Sequence, residues 1–144
     1  MCGIAGIVDV SGKPVAADEI SGLTDLLAHR GPAGSATWLS ADRTVALGHR
    51  RLAIIDPGPG GRQPMAYAEG RYVITYNGEI YNFLELRREL EARGSIFRTE
   101  SDTEVILAAW QAWGEDMLLR FNGMWALAIF DTRSNDLFLA RDRF

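Results

Sequence analysis

Apolar and polar residues recur along this chain with two different periods, and the changes of period outline its elements. From Gly3 to Val10 nearly every residue is apolar or glycine, which predicts a buried strand, and the run Ser11 to Pro14 is turn chemistry that ends it. Ile20, Leu23 and Leu27 then recur three and four apart, on one face of a first helix for which Asp18 is the expected N-cap. Gly31 and Pro32 break that pattern and predict a loop over 29–35. The segments "ATWL", "TVALGHRR" and "LAIID" read as short β-prone runs between polar turns, and the Gly/Pro loop "PGPGGRQP" follows them.

The next segment, "RYVITYNGEIYN", alternates in its first half, and its Asn77-Gly78 step predicts a hairpin turn. Two helices follow with start signals: Asn82 with Glu85, and Ser101 with Glu104, have the spacing of a capping box. Behind the first, Phe83, Leu86 and Leu90 make an apolar stripe that stops near Gly94; behind the second, Val105, Ile106, Ala109, Trp110 and Trp113 do the same. Two apolar runs around "TRSND" predict a closing hairpin. Strands at the start, middle and end, with helices between them and no regular βαβ alternation, predict an α+β fold with largely antiparallel sheets.

Composition narrows the class without changing this outline. With 47% hydrophobic and 24% charged residues among 144, the chain has ordinary globular composition and can bury one core, so residues 1–144 are expected to form one domain. A net charge of −4, with both signs spread along the chain, leaves no basic stripe for nucleic acid. No apolar stretch reaches membrane-spanning length and no secretory signal is present, so a cytoplasmic protein without a membrane partner is expected. One cysteine cannot form an internal disulfide, and two distant histidines with no other sulfur ligand argue against a metal site.

The thiol is therefore free, and it stands directly after Met1. Lipid attachment needs a preceding apolar segment that is absent here, which leaves a buried strand cysteine or a nucleophile. Removal of Met1 leaves Cys2 with its own α-amine, whose reference pKa of about 7.7–8.0 lies close to the thiol's value of about 8.5. The amine can then take the thiol proton near neutral pH and return it to a leaving amine, so nucleophile and base are one residue. A Cys-His dyad through His29 or His49 is the rival source of a base, with bland readings for both: His29 at a helix end, His49 among strand arginines. Spacing alone does not separate these.

Taken in order, "MCGIAGI", "HRGP", "LGHRRLAIID", "QPM", "YNGEIYN", "SDTEVIL", "FNGMWALAIFD" and "LFLARDR" resemble the glutaminase domain of glutamine-dependent asparagine synthetases. These are class II glutamine amidotransferases within the N-terminal nucleophile hydrolases. The resemblance implies a four-layer αββα sandwich, two antiparallel sheets between layers of helices, incomplete at the C-terminus. It implies that Cys2 attacks the side-chain amide of glutamine, releasing ammonia and forming a γ-glutamyl thioester. Asn77 and Gly78 match the oxyanion hole, a side-chain and a backbone N–H aimed where the carbonyl oxygen gains charge. Arg51 matches the partner of the substrate α-carboxylate, for which a guanidinium fork is suited. Glu79 and Asp102 match the groups around the α-ammonium, aided by backbone carbonyls near Leu52 and Ile54; Arg30 and Gly31 match residues bordering the site.

The chain departs from the family in carrying Ala33 where an Asp usually follows "RGP", so the loop lacks a carboxylate that could order its backbone. The resemblance also implies a synthetase domain, in cis or trans, that lies outside these residues. ATP and Mg are expected only there, no cofactor is expected in this segment, and "PGPGG" lacks the Lys-Ser/Thr end of a P-loop. The parent enzyme, for which a homo-oligomer is one expectation, is expected to pass ammonia to an aspartyl adenylate, while relatives amidate different carboxylates. Two alternatives stay open at this level: a non-catalytic, partner-binding remnant with an unpaired sheet edge, and a Cys-His amide hydrolase of another substrate.

Overall fold

The computed structural model describes residues 2–56 and 58–143. Met1 and Phe144, on which the expectations about the N-terminus and the end of the domain bear, lie outside the described residues. Strands β1 (Gly3–Val8), β2 (Gly34–Leu39) and β3 (Val45–Arg51) form an antiparallel sheet in the order β1-β3-β2. A second antiparallel sheet runs β4 (Met65–Tyr67), β5 (Tyr72–Ile80), β6 (Gly123–Asp131), β7 (Asp136–Arg141) in chain order. Helix α1 spans Ala17–Leu26, α2 spans Phe83–Ala92 and α3 spans Asp102–Trp113.

Period-two alternation decides which face of each strand is covered by what. Val45 and Leu47 of β3 pack with Val73 of β5 and with Ala128 and Phe130 of β6, so the two sheets face each other. On the far side of the first sheet, Ala46 packs with Ile20 of α1 and with Val15 just ahead of it. On the far side of the second, Ile74, Tyr76, Leu127 and Ile129 meet Leu86 and Leu90 of α2 and Val105, Ile106 and Ala109 of α3. The layers are thus α1, sheet, sheet, α2 with α3, the αββα sandwich that the sequence led us to expect. Each fully buried Leu, Ile or Phe in these interfaces contributes about 1.5–3 kcal/mol relative to exposure.

Several local expectations are corrected. Asn77 and Gly78 make no hairpin turn; both lie inside β5, paired with Ala126 and Trp125 of β6, because β6 supplies a partner over the whole length of β5. "LAIID" is not a strand beyond Arg51; its backbone is irregular where it wraps the end of β3. The N-cap of α1 is Ala16, whose N–H donates to the Glu19 carboxylate at 2.9 Å, and Asp18 sits in the first turn. Asn82 does stand at the start of α2, but its side chain spans to the chain entering β6, donating to the Arg120 carbonyl at 2.9 Å and accepting the Asn122 N–H at 3.0 Å. Ser101 caps α3 by accepting the Thr103 N–H at 3.2 Å, while Glu104 turns to the N–H groups of Arg98 and Thr99 instead of closing a box. α1 ends at Leu26, so the exposed His29 lies in the following turn and not at the helix terminus.

Candidate active site

The same alternation gathers the polar residues at one end of the inter-sheet space. Gly3 packs on Leu27 beside α1, so Cys2, one position earlier, turns to the opposite face, towards the second sheet. In β3, Arg50 faces α1, where it pairs with Asp25 at 2.6 Å and donates to the Thr24 carbonyl, so Arg51 faces inward. In β5, Val73 and Thr75 face inward, and the Thr75 hydroxyl donates to the Gly48 carbonyl at 3.0 Å; Asn77 follows on that face. These side chains meet at a cavity of about 140 Å³, closed by the N-terminus of α3 and by the loop that follows β3.

Cys2 Sγ lies against the Leu52 backbone, accepting its N–H at 3.3 Å and approaching its carbonyl at 3.6 Å. Arg30 Nε donates to the Cys2 carbonyl at 3.0 Å, so Arg30 borders the site by holding the backbone of the thiol residue. Gly31 explains how that loop comes so near: a Cβ there would fall on the carbonyl group of Arg50, and only glycine permits the approach. Ala33, where a carboxylate is usual, ties the loop to β3 through its backbone, its N–H donating to the Arg51 carbonyl at 3.0 Å.

β5 presents an open edge to the cavity. β6 lines one side of it throughout, but β4 pairs only with Tyr72, Val73 and Ile74. Successive residues of an antiparallel ladder point their backbone groups to alternate sides. Tyr76 and Ile80 point away from β6: the Tyr76 N–H donates to Gln63 Oε1 at 2.6 Å, its carbonyl accepts from His49 Nε2 at 3.2 Å, and the Ile80 N–H donates to Asp102 Oδ2 at 3.2 Å. Gly78, midway between them, turns its N–H to the same side, and it lines the cavity beside Cys2. A Cβ at Gly78 would fall on the Met124 carbonyl oxygen and Trp125 Cα, so β6 can pass this closely only because the residue is glycine. Asn77 Oδ1 is buried without a hydrogen-bond partner, which leaves the amide uncommitted to the protein and open to a ligand.

Groups of both charges line the site. Arg51 spends two of its five N–H donors on the carbonyls of Asp56 and Gly58, the latter at 2.8 Å, which anchors the loop over the cavity and leaves the others unspent. Across the cavity, Asp102 is buried, with Oδ2 accepting the Tyr76 hydroxyl at 2.8 Å; burial pushes its carboxyl above the usual range, the neighbouring Glu79 adds to this, and the bonds from Tyr76, Ile80 and Thr103 oppose it. The same burial and the Asp102 charge push the Tyr76 phenol far up. His49, 2% exposed, is held down at about 4 by burial, with a smaller contribution from Arg51, so its ring is neutral and the Nε2 proton is the one given to Tyr76.

The cavity thus brings together Cys2, Arg51, Leu52, Ile54, Asn77, Gly78, Glu79 and Asp102. Ile54 is 64% exposed at its rim, and the Leu52 backbone faces the thiol. Arg30 and Gly31 stand behind Cys2 and are not part of its wall. His49 reaches the wall, His29 does not. Sequence reasoning assigned no role to Gln63 or Tyr76; the inward alternation of β5 with a polar break at Asn77 was the available signal, and nothing local marks Gln63. Among the described residues no group of three or more His, Cys, Asp or Glu could hold a metal ion, and no helix is long and apolar enough to cross a membrane.

Two facing antiparallel sheets between helical layers, with a thiol just ahead of the first strand, define an αββα sandwich. The fold of glutamine phosphoribosylpyrophosphate amidotransferase from B. subtilis, complexed with ADP and GMP, superposes with a TM-score of 0.75 at 24% identity, covering 96% of this chain and 37% of that one. Residues 1–144 match the family described as a glutamine amidotransferase domain, and the chain belongs to that family. Asparagine synthetase [glutamine-hydrolyzing] 3 of Bacillus subtilis is 47% identical across 99% of this chain and 23% of its own length. Asparagine synthetase [glutamine-hydrolyzing] 1 of Arabidopsis thaliana is 38% identical across 99% of this chain and 24% of its own. The chain spans about a quarter of the length of these curated relatives.

Proposed function

We propose that this domain hydrolyses glutamine to glutamate and ammonia through a γ-glutamyl thioester on Cys2. The observation that carries this reading is the Gly78 N–H on an unpaired strand edge, in one cavity with the Cys2 thiol. With Met1 removed, the α-amine of Cys2 takes the thiol proton and the sulfur adds to the carboxamide carbon. The oxygen gains charge towards the Gly78 N–H and the Asn77 amide, donors that each supply roughly 3–4 kcal/mol of transition-state stabilisation in comparable sites. The C–N bond then breaks, the ammonium returns its proton to the departing nitrogen, and ammonia leaves. Water adds to the thioester with the amine again as base, expelling the thiolate and giving glutamate. Arg51 is suited to the α-carboxylate, and Asp102 with Glu79 to the α-ammonium. All three line the one cavity, and groups of both charges there favour an amino acid over a simple amide.

The relatives' names point to the wider reaction. In the parent enzyme this domain supplies ammonia to a synthetase domain that makes asparagine from aspartate with ATP and Mg. A Cys-His mechanism is disfavoured because the Cys2 sulfur bonds only to the Leu52 backbone and not to His49, whose burial makes it a weak base.

The test is ammonia release from glutamine by protein whose N-terminus is verified as Cys2. Cys2→Ala should abolish it, and protein that retains Met1 should lose at least about a hundredfold because the amine becomes an amide. A folded, correctly processed chain that releases no ammonia removes the glutaminase reading and leaves the partner-binding one. Undiminished activity with Met1 retained restores the His49 dyad.

A further inference from the structure

The open edge of β5 has a second consequence. A strand held on one side only can let its peptide planes tilt, and a donor displaced by about 1 Å costs on the order of a hundredfold in rate. Here the missing neighbour is replaced by side chains. Gln63, from the loop ahead of β4, accepts the Tyr76 N–H at 2.6 Å, and its own amide donates to Thr103 Oγ1 of α3 at 3.2 Å. His49, from β3 of the facing sheet, donates to the Tyr76 carbonyl at 3.2 Å. They are 7% and 2% exposed, so water does not replace either bond easily. Both backbone groups of Tyr76, two residues before Gly78, are therefore taken by side chains from two different layers. The Thr75 hydroxyl independently ties β5 to the Gly48 carbonyl at 3.0 Å, so the sheets stay joined when the His49 bond is removed.

We propose that Gln63 and His49 are positioning residues: together they stand in for the strand that β5 lacks and fix the Gly78 N–H as an oxyanion donor. Neither touches the reacting atoms, and the inference rests on the glutaminase reading above. Glutamine turnover by the full chain with Cys2 at its N-terminus tests it, using His49→Leu and Gln63→Met, which remove the bonds at similar volume, and His49→Gln, which keeps an N–H donor near the Nε2 position. His49→Leu and Gln63→Met should each lower kcat roughly 10- to 100-fold with KM held within about threefold. His49→Gln should recover most of that loss. The double variant should lose less than the product of the single losses, because both act on one residue. The Gly78 amide resonance should shift in His49→Leu and Gln63→Met and return in His49→Gln. Alkylation of Cys2 by iodoacetamide, which needs no oxyanion donor, should stay within about twofold of wild type.

Wild-type kcat in both His49→Leu and Gln63→Met overturns the proposal, and so does a His49→Gln protein as impaired as His49→Leu. If the wild-type chain itself releases no ammonia, the glutaminase reading is what fails. The Gly78 amide then still decides the positioning claim, an unmoved resonance ending it.

Discussion

Arg50 and Arg51 are neighbours with the same side chain and opposite fates. One turns to α1 and pairs with Asp25, the other turns between the sheets and holds the loop over the cavity. The pleat alone separates them, since no property of arginine does. His49 lies on the same inward face, and its burial makes it a reporter of the fold. Its folded value of about 4 lies below the 6.5 of an unperturbed histidine. Between these values the unfolded chain binds a proton that the folded chain refuses. The stability this group contributes is therefore complete above about pH 6.5 and is lost as the pH falls towards 4. Going from pH 7 to pH 5 should cost roughly 2 kcal/mol of unfolding free energy through this one residue. Urea midpoints of wild type and His49→Gln across that range check it: the variant should show a flatter dependence, and equal slopes would remove His49 as the cause.

At the scale of elements, α3 does the most for the site, because its first turn delivers Asp102 to the edge of β5. Ser101 starts the helix by accepting the Thr103 N–H, and Asp102 follows directly. Ser101→Ala should lower stability by about 1 kcal/mol, the usual cost of a lost N-cap. Because the first turn frays, KM for glutamine should rise more than kcat falls, and steady-state kinetics beside a urea titration separate the two effects. Helix periodicity was legible in the sequence: the stripes of Leu86 and Leu90, and of Val105, Ile106 and Ala109, are the faces buried on the second sheet. The polar signals were less reliable. An Asn at a helix start can cap or cross-link, and Asn82 cross-links because the chain entering β6 passes beside it. An Asn-Gly pair can turn a chain or sit in a strand, and at 77–78 it sits in one because β6 runs past it.

For the whole molecule, the space between the sheets serves as core at one end and holds the candidate site at the other. Val45, Leu47, Val73, Ala128 and Phe130 set the sheet separation that Cys2, Arg51 and Asn77 then share. Phe130, 1% exposed and packed near Trp38 at a centroid distance of 5.6 Å, is the largest member of that core. Phe130→Ala should cost about 3–5 kcal/mol in unfolding free energy. Glutaminase activity per folded molecule should fall as well, since the cavity depends on the same spacing. Activity measured against the fraction folded by circular dichroism distinguishes this from simple unfolding, and unchanged specific activity would show that the two ends are independent.

The sequence by itself determined the class of fold, the order of its elements and the identity of the chemical groups. Hydrophobic period fixes which residues can be buried, and family blocks such as "MCGIAGI" and "YNGEIYN" are local strings that survive in a linear reading. Tertiary structure alone decided the rest. The open edge of β5, the Gly78 N–H left facing the cavity, and the use of Gln63 and His49 to fill the place of a strand depend on β4 beginning only at Met65, opposite Ile74, while β6 runs the whole length of β5. No periodicity in one segment records where its neighbour ends. Hydrogen bonds between residues 13 and 27 positions apart are set only when the layers close on one another.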